Sequence, residues 1–170
     1  MPTRLYIPKD VIMKQYASFF LLIIFVIPGY NLVAQTNFPA QNNHLNTRNG
    51  LAINGYDPVS YFVSGTAEKG KKELSVFSEG ATYYFSSASN KELFKRAPGK
   101  YQPRYGGWCA YAMGSSGEKV SIDPETFKIL DGKLYLFYNR FFNNTLESWN
   151  KDEPALKKKA DLNWSKIIGN

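Results

Sequence analysis

The sequence predicts an α+β domain in which a small antiparallel sheet, built from hairpins, carries several short helices. Two pairs of short apolar runs flank Glu79-Gly80 and Asp131-Gly132, and Asp-Gly is a preferred dipeptide of tight hairpin turns. Between and after these runs, apolar residues recur at helical spacing. Of the 170 residues, 44% are hydrophobic and 16% aromatic, so the chain can form one core and does not resemble a disordered polymer.

The first 35 residues have the features of a secretory signal peptide. Lys14 precedes Ala17–Ile27, an uncharged apolar run that ends at Pro28. This run is much shorter than the roughly 20 residues that a membrane-spanning helix needs. We therefore expect residues 1–35 to be a cleaved signal peptide, which leaves no stable membrane span.

Cleavage is expected after Ala34 or Gln35, and it would deliver the protein to the periplasm or cell envelope. Residues 1–35 hold three of the 21 basic and one of the 14 acidic residues, so the mature chain keeps a net charge of +5. Export argues against nucleic acid as a partner. The basic residues are spread along the chain, which favours a solvated surface with weak attraction to anionic envelope surfaces.

Residues 36–49 are predicted to be a flexible leader, because they are rich in asparagine and poor in apolar residues. This segment also contains His44, the only histidine of the chain. The folded domain is then expected to span residues 50–168, a length sufficient for one hydrophobic core.

A short helix and a hairpin are predicted to open this domain. Asp57 can cap the helix with Pro58 in its first position, where the missing N–H costs nothing. Leu74–Ser78 and Thr82–Phe85 are short and rich in aromatic or β-branched residues, so they are predicted to be paired strands. 

A helix is predicted next, beginning at Ser87 or Ser89 and continuing through Arg96. Its first residue has a side chain suited to capping, and Pro98-Gly99 ends it. Leu93 and Phe94 are predicted to form its apolar face.

The second hairpin is the strongest local signal, with Thr126–Leu130 and Lys133–Tyr138 as its strands. The second strand is apolar on both faces, so we expect it to lie centrally in the sheet. Two helices are predicted to follow. The first is indicated by apolar residues at helical spacing: Phe141, Phe142, Thr145, Leu146 and Trp149. The second is expected to begin at Pro154 and to turn Leu156 and Ala160 inward.

Several of these segments resemble the YHS domain family. The stretch Tyr83–Tyr101 is similar to the family core, which runs roughly Y-Y-F-C-S-x-x-C-x-x-x-F-x-x-x-P-x-x-Y. Asp57-Pro58-Val59 resembles the D-P-V that precedes that core. Tyr56–Phe62, Gly106–Tyr111 and Asp131–Leu136 together are similar to a longer, exported branch of the family, whose biochemical role is poorly defined.

YHS domains are usually suspected of binding transition metals through cysteines. The cysteine positions of the family fall here on Ser60, Ser86 and Asn90. Serine and asparagine are weak ligands that cannot replace thiolate for zinc or cuprous ion. The resemblance therefore implies the fold and does not carry the metal site across.

Cys109 is the only cysteine, and Met113 follows it by four residues. If this segment is helical, both lie on one face, and a thiolate with a thioether could hold a transition metal such as copper as Cu(I). If it is a strand, they lie about 13 Å apart and cannot share an ion. Two alternatives stay open for Cys109, which are an inert buried residue and a redox or nucleophilic thiol. No histidine within residues 50–168 could serve as a base for the latter.

The remaining signals favour a binding protein over an enzyme. Neither a phosphate-binding glycine loop nor a G-x-S-x-G elbow is found in the sequence. The predicted role is a small binding module for a transition metal or small ligand, and the alternatives are a structural or interaction domain and a thiol enzyme. A ligand pocket is predicted from five residues: Tyr56, Asp57, Tyr61, Trp108 and Tyr111.

Overall fold

The computed structural model describes residues 44–169, and these form an α+β fold, which confirms the predicted class. The predicted signal peptide and residues 36–43 of the predicted leader lie outside the described residues. The strands are β1 Thr47–Arg48, β2 Leu51–Ala52, β3 Lys71–Ser78, β4 Ala81–Phe85, β5 Asp123–Leu130, β6 Lys133–Phe137, β7 Asn139–Arg140 and β8 Asn143–Asn144. The helices are α1 Ser60–Val63, α2 Ala88–Arg96, α3 Pro98–Tyr101, α4 Ala110–Ser115, α5 Thr145–Lys151 and α6 Glu153–Ile168. None of these helices is long and apolar enough to cross a membrane.

The first sheet has the strand order β1-β2-β4-β3. Strands β3 and β4 form the predicted antiparallel hairpin, with Ser78 opposite Ala81 across the turn. Strand β2 joins β4 in parallel, with Leu51 opposite Thr82. Strand β1 pairs with β2, so the fold includes residues 44–49, which the sequence analysis placed in the flexible leader.

The second sheet is the predicted hairpin of β5 and β6, in which Leu130 lies opposite Lys133. Strand β6 is buried on both faces, as its composition predicted, but it pairs only with β5 within the described residues. Its burial comes from two apolar clusters. Leu134 and Leu136 point into one, whereas Tyr135 and Phe137 point into the other. Strand β6 therefore lies centrally in the core, although it is not the central strand of a sheet.

The two clusters are covered by different helices. The first contains Phe94 of α2, and the second contains Trp149 of α5 and Ala160 of α6. Helix α4 packs closely against the start of α6, because Gly114 has no side chain. A Cβ atom at Gly114 would lie 2.5 Å from the carbonyl oxygen of Leu156.

Two predicted helix starts differ in their outcome. Helix α2 begins as predicted, since the Ser87 hydroxyl accepts a hydrogen bond from the Asn90 amide. Helix α1 begins at Ser60, two residues later than the predicted Pro58 start. The Asp57 carboxylate accepts the Val59 N–H at 2.8 Å and so stabilises a turn before the helix instead of its first turn.

The predicted helical role of Phe141 and Phe142 is wrong. Helix α5 begins only at Thr145, because the Asn144 side chain caps it by accepting the Leu146 amide. Both phenylalanines form the two-residue loop of the β7–β8 hairpin, with φ values of 50° and 66°. The spacing of the apolar residues matched a helix, but the cap at Asn144 makes the helix begin only at Thr145, so Phe141 and Phe142 precede it.

Candidate functional site

Cys109 lies directly before helix α4 and is completely buried. Its sulfur accepts the Tyr138 N–H at 3.4 Å and lies 3.4 Å from the Thr145 hydroxyl. The single hydroxyl proton of Thr145 is donated to the Tyr138 carbonyl at 2.8 Å, so the thiol must donate its own proton to the Thr145 oxygen. Both hydrogen-bonding capacities of the sulfur are therefore used by the protein.

Met113 is also buried and lies one helical turn beyond Cys109. Its side chain belongs to the second apolar cluster, whereas Cys109 belongs to the first. The structure thus places the two predicted metal ligands in separate parts of the core. Within residues 44–169, no group of three or more His, Cys, Asp or Glu side chains could hold a metal ion.

The five predicted pocket residues lie in different places. The Tyr56 hydroxyl donates to Glu125 Oε1 at 2.9 Å, and the Tyr61 hydroxyl donates to the Pro124 carbonyl at 2.9 Å. The Trp108 indole N–H donates to the His44 carbonyl at 2.7 Å. Tyr111 lines a cavity of about 300 Å³ that also contacts Cys109.

The phenol groups of Tyr56 and Tyr61 keep their protons and donate hydrogen bonds, because the pKa of each is raised. The hydrogen bond to Glu125, with burial adding to it, raises the pKa of Tyr56. Burial raises the pKa of Tyr61 far above its ordinary value. Both side chains tie the region of α1 to the start of β5, which is a structural role.

Asp57, the fifth predicted pocket residue, is the centre of a buried polar cluster. Its Oδ2 atom accepts the Ser86 N–H at 2.8 Å, the Ser86 hydroxyl at 2.8 Å and the Asn90 side-chain amide at 2.7 Å. The Ser60 hydroxyl donates to the Asp57 carbonyl oxygen at 2.8 Å. With Val59 on Oδ1, the carboxylate has four donors, so it is satisfied without a ligand.

Three members of this Asp57 cluster, Ser60, Ser86 and Asn90, are the residues that the YHS resemblance would place at cysteine positions. Ser60 lies three residues from Asp57, whereas Ser86 and Asn90 lie 29 and 33 residues away, and each of the three hydrogen-bonds to Asp57 in the structure. The Asn90 side-chain amide also donates to the Ser86 hydroxyl oxygen at 3.3 Å, and Ser60 joins the cluster through the Asp57 carbonyl oxygen. The cluster is therefore a closed structural core.

A larger cavity, of about 540 Å³, lies beside the 3₁₀ turn Arg104–Gly107. None of the predicted pocket residues lines it. Its lining residues come from separate segments of the chain and include Glu79, Tyr83, Arg104, Tyr105, Lys133 and Trp164. Sequence reasoning missed this site because no motif joins these segments.

Two lining residues of the large cavity, Arg104 and Tyr105, belong to a polar cluster around Asp161 of helix α6. Its carboxylate accepts Arg104 Nη2 at 3.0 Å, the Tyr105 hydroxyl at 3.0 Å and Lys157 Nζ at 2.9 Å. Burial works to raise the pKa of Asp161, but these three donors outweigh it and leave the pKa below its usual value. Arg104 Nε is buried and has no hydrogen-bond partner among the described residues.

The glycines after Tyr105 allow neighbouring segments to pack closely beside the cavity. Tyr105, Gly106 and Gly107 all have positive φ values, of 55°, 60° and 84°. A Cβ atom at Gly106 would lie 2.7 Å from the His44 carbonyl oxygen and 2.8 Å from the Trp164 ring. Gly106 is therefore the point where the N-terminal segment and helix α6 approach the turn.

Comparisons with known proteins leave the site to be interpreted from its chemistry. No family model, no curated protein and no solved structure matches this chain. The two cavities and the Asp57 cluster are accordingly judged by what their side chains can bind.

Proposed function

We propose that this chain is an exported, YHS-like binding module without enzymatic activity, whose ligand is a small organic anion with a flat apolar body. The ligand would occupy the large cavity beside Arg104–Gly107. The observation that carries this proposal is the combination of two basic side chains, Arg104 and Lys133, with three aromatic rings in the lining of that cavity. Such a lining can pair with a negative charge and pack against an apolar body at the same time.

The charges of the cavity favour an anionic group. Arg104 and Lys133 line it together with a single acid, Glu79. Asp161 takes one terminal nitrogen of Arg104, which leaves other donors of the planar guanidinium for a carboxylate. Lys133 lies at the start of β6 and makes no ion pair with any residue of the described range, so its charge adds to the attraction.

The apolar part of the cavity favours a flat ligand body. Tyr83, Tyr105 and Trp164 contribute aromatic rings to its lining, and a volume of about 540 Å³ suits a small molecule. The Tyr105 and Trp164 rings meet edge to face with centroids 6.3 Å apart. Aromatic walls beside a cationic group are suited to an aromatic or otherwise planar carboxylic acid.

The same residues favour binding over catalysis. Burial raises the pKa of Tyr83 to about 12 and that of Tyr105 still higher, so both phenols stay neutral near pH 7. The only cysteine lines the smaller cavity, where its thiol is fully hydrogen-bonded. A nucleophile and a base are thus not brought together at the large cavity.

The YHS resemblance is supported by the Asp57 cluster. Three residues that the resemblance placed at cysteine positions are adjacent in space around a residue of the D-P-V motif. In this chain hydrogen bonds would replace the family's suspected metal ligation. For Cys109, the contacts favour the structural alternative over a copper site with Met113.

The proposal is tested by titrating the full chain with benzoate, and with benzyl alcohol and acetate as partial mimics. We expect benzoate to bind more tightly than either mimic. Arg104→Gln and Lys133→Gln should each weaken benzoate binding about tenfold or more, because each removes a charge that faces the carboxylate. Isothermal titration calorimetry measures the affinities.

Lys72→Gln is the matched control, because Lys72 is an exposed residue of β3 that does not line the cavity. It makes the same change in net charge and should leave the affinity unchanged. Equal affinity for benzoate and benzyl alcohol, or equal affinities of the three variants and the original chain, would refute anion binding at this site.

A further inference from the structure

The tip of the β7–β8 hairpin is the most exposed apolar feature of the described residues. Phe141 and Phe142 are 90% and 111% exposed, so neither ring is buried by the other residues of the range 44–169. Arg140 and Asn143 flank them and are exposed as well. Two adjacent aromatic side chains in water at the end of a hairpin do not contribute to the core.

The backbone conformation at the tip is unfavourable for phenylalanine, so the preferences of the turn do not explain these two side chains. Within residues 44–169, four hairpins have two-residue loops with positive φ at both positions: Asn49-Gly50, Glu79-Gly80, Asp131-Gly132 and Phe141-Phe142. The first three place glycine second, as this turn type prefers. The fourth places phenylalanine at a φ of 66°, a conformation that bulky residues rarely adopt.

The base of this hairpin is held firmly, so the tip is presented in a defined position. The Thr145 amide and hydroxyl both donate to the Tyr138 carbonyl, at 3.0 and 2.8 Å. The Asn139 side chain donates to the Thr126 hydroxyl at 3.0 Å, which joins the hairpin to β5. The Cys109 sulfur contacts both Tyr138 and Thr145.

We propose that the Phe141-Phe142 tip inserts into the interface of an anionic lipid bilayer and so docks the domain peripherally on a membrane. The β7–β8 hairpin itself carries Arg140 and no acidic residue, so the charge beside the tip complements anionic headgroups. The apolar end with a polar and cationic base matches the layering of acyl chains beneath headgroups.

A bilayer suits this feature better than a protein partner does. Two side chains on a convex tip present far less apolar surface than the roughly 800 Å² per partner of a stable protein interface. A fluid bilayer needs no preformed complementary surface. Nor do Asn139, Asn143 and Asn144, the polar residues beside the tip, extend the apolar area.

The test measures binding of the full chain to vesicles of phosphatidylglycerol and phosphatidylcholine by sedimentation. The variant Phe141→Asn with Phe142→Gly should bind about tenfold or more weakly, since it removes both rings. The same variant should unfold at a higher temperature, because Asn-Gly suits this turn. Val63→Ser, which alters an exposed apolar residue of α1, is the control and should bind like the original chain.

A position-specific readout excludes binding through other parts of the chain. Cys109 is fully buried, so a thiol-reactive fluorophore can be placed selectively in a Phe142→Cys variant or in a Leu162→Cys variant. Brominated lipid should quench the dye at position 142 and leave the dye at position 162 unaffected. Quenching that is equal at both positions, or absent at both, would overturn the proposal.

Two further results would also overturn it. The first is undiminished vesicle sedimentation by the variant that lacks both phenylalanines. The second is a dimer of the original chain in solution that this variant converts to a monomer without any change in vesicle binding, because the tip would then bind a second copy of the chain.

Discussion

Cys109 shows how much of a side chain's role depends on its immediate contacts. A lone cysteine before a methionine at helical spacing suggested a cuprous site. In the structure its sulfur connects Tyr138 with Thr145, the two residues at the base of the β7–β8 hairpin. At this scale the thiol is a hydrogen-bonding group of the core.

Cys109→Ala should therefore destabilise the protein by about 1–3 kcal/mol, because it leaves a small void and removes the acceptor of the Tyr138 amide. Chemical denaturation of the full chain measures the loss. Ala112→Gly, also in a nearly buried position of α4, gauges the general sensitivity of that helix. An unchanged midpoint for Cys109→Ala would contradict the structural role.

At the scale of secondary-structure elements, the Asp57 cluster joins segments that share no sheet. Asp57 precedes α1, Ser86 follows β4, and Asn90 belongs to the first turn of α2. One buried carboxylate thus fixes the position of two helices relative to a strand. Its neutral donors do what a metal ion would do in a cysteine-bearing site, which is to connect distant backbone segments.

Asp57→Asn is expected to cost roughly 2–4 kcal/mol of stability, because an amide nitrogen would face the Ser86 and Asn90 donors that the carboxylate now accepts. Thermal unfolding followed by circular dichroism measures this change. Asp123→Asn provides a comparison at a partly exposed carboxylate of β5. If both variants lose the same small amount, the Asp57 cluster is not a major source of stability.

For the whole molecule, Asp161 connects helix α6 to the turn that forms the large cavity. It binds Arg104, Tyr105 and Lys157 at once. Because its pKa in the folded state lies below the unfolded value of 3.8, the unfolded chain binds more protons as pH falls. The stability from Asp161 is therefore complete above about pH 4 and is lost as pH falls through the folded pKa.

Asp161→Asn should lower stability near pH 7 and flatten the loss of stability below about pH 4. Urea denaturation midpoints measured from neutral to acidic pH test both parts. Asp152→Asn, an exposed position just before α6, makes the same charge change without these contacts and should keep the original pH profile. A parallel profile for Asp161→Asn would contradict the coupling.

The features that were predictable are those formed by neighbours in sequence. Glu79-Gly80 and Asp131-Gly132 specify tight turns through backbone conformations that glycine adopts without strain, and Ser87 caps α2 through a bond three residues away. Alternation along β6 likewise indicated two buried faces. In each case the energy that decides the structure lies within a few residues, so the local pattern was sufficient to predict the fold class.

Contacts between distant residues could not be read in this way. Asp57 meets Asn90 across 33 positions, and Arg104 meets Asp161 across 57. The cap at Asn144 overruled the helical spacing of Phe141 and Phe142, and packing placed Cys109 and Met113 in different clusters. Burial and the pairing of polar groups depend on which segments meet, and only the folded chain brings those segments together.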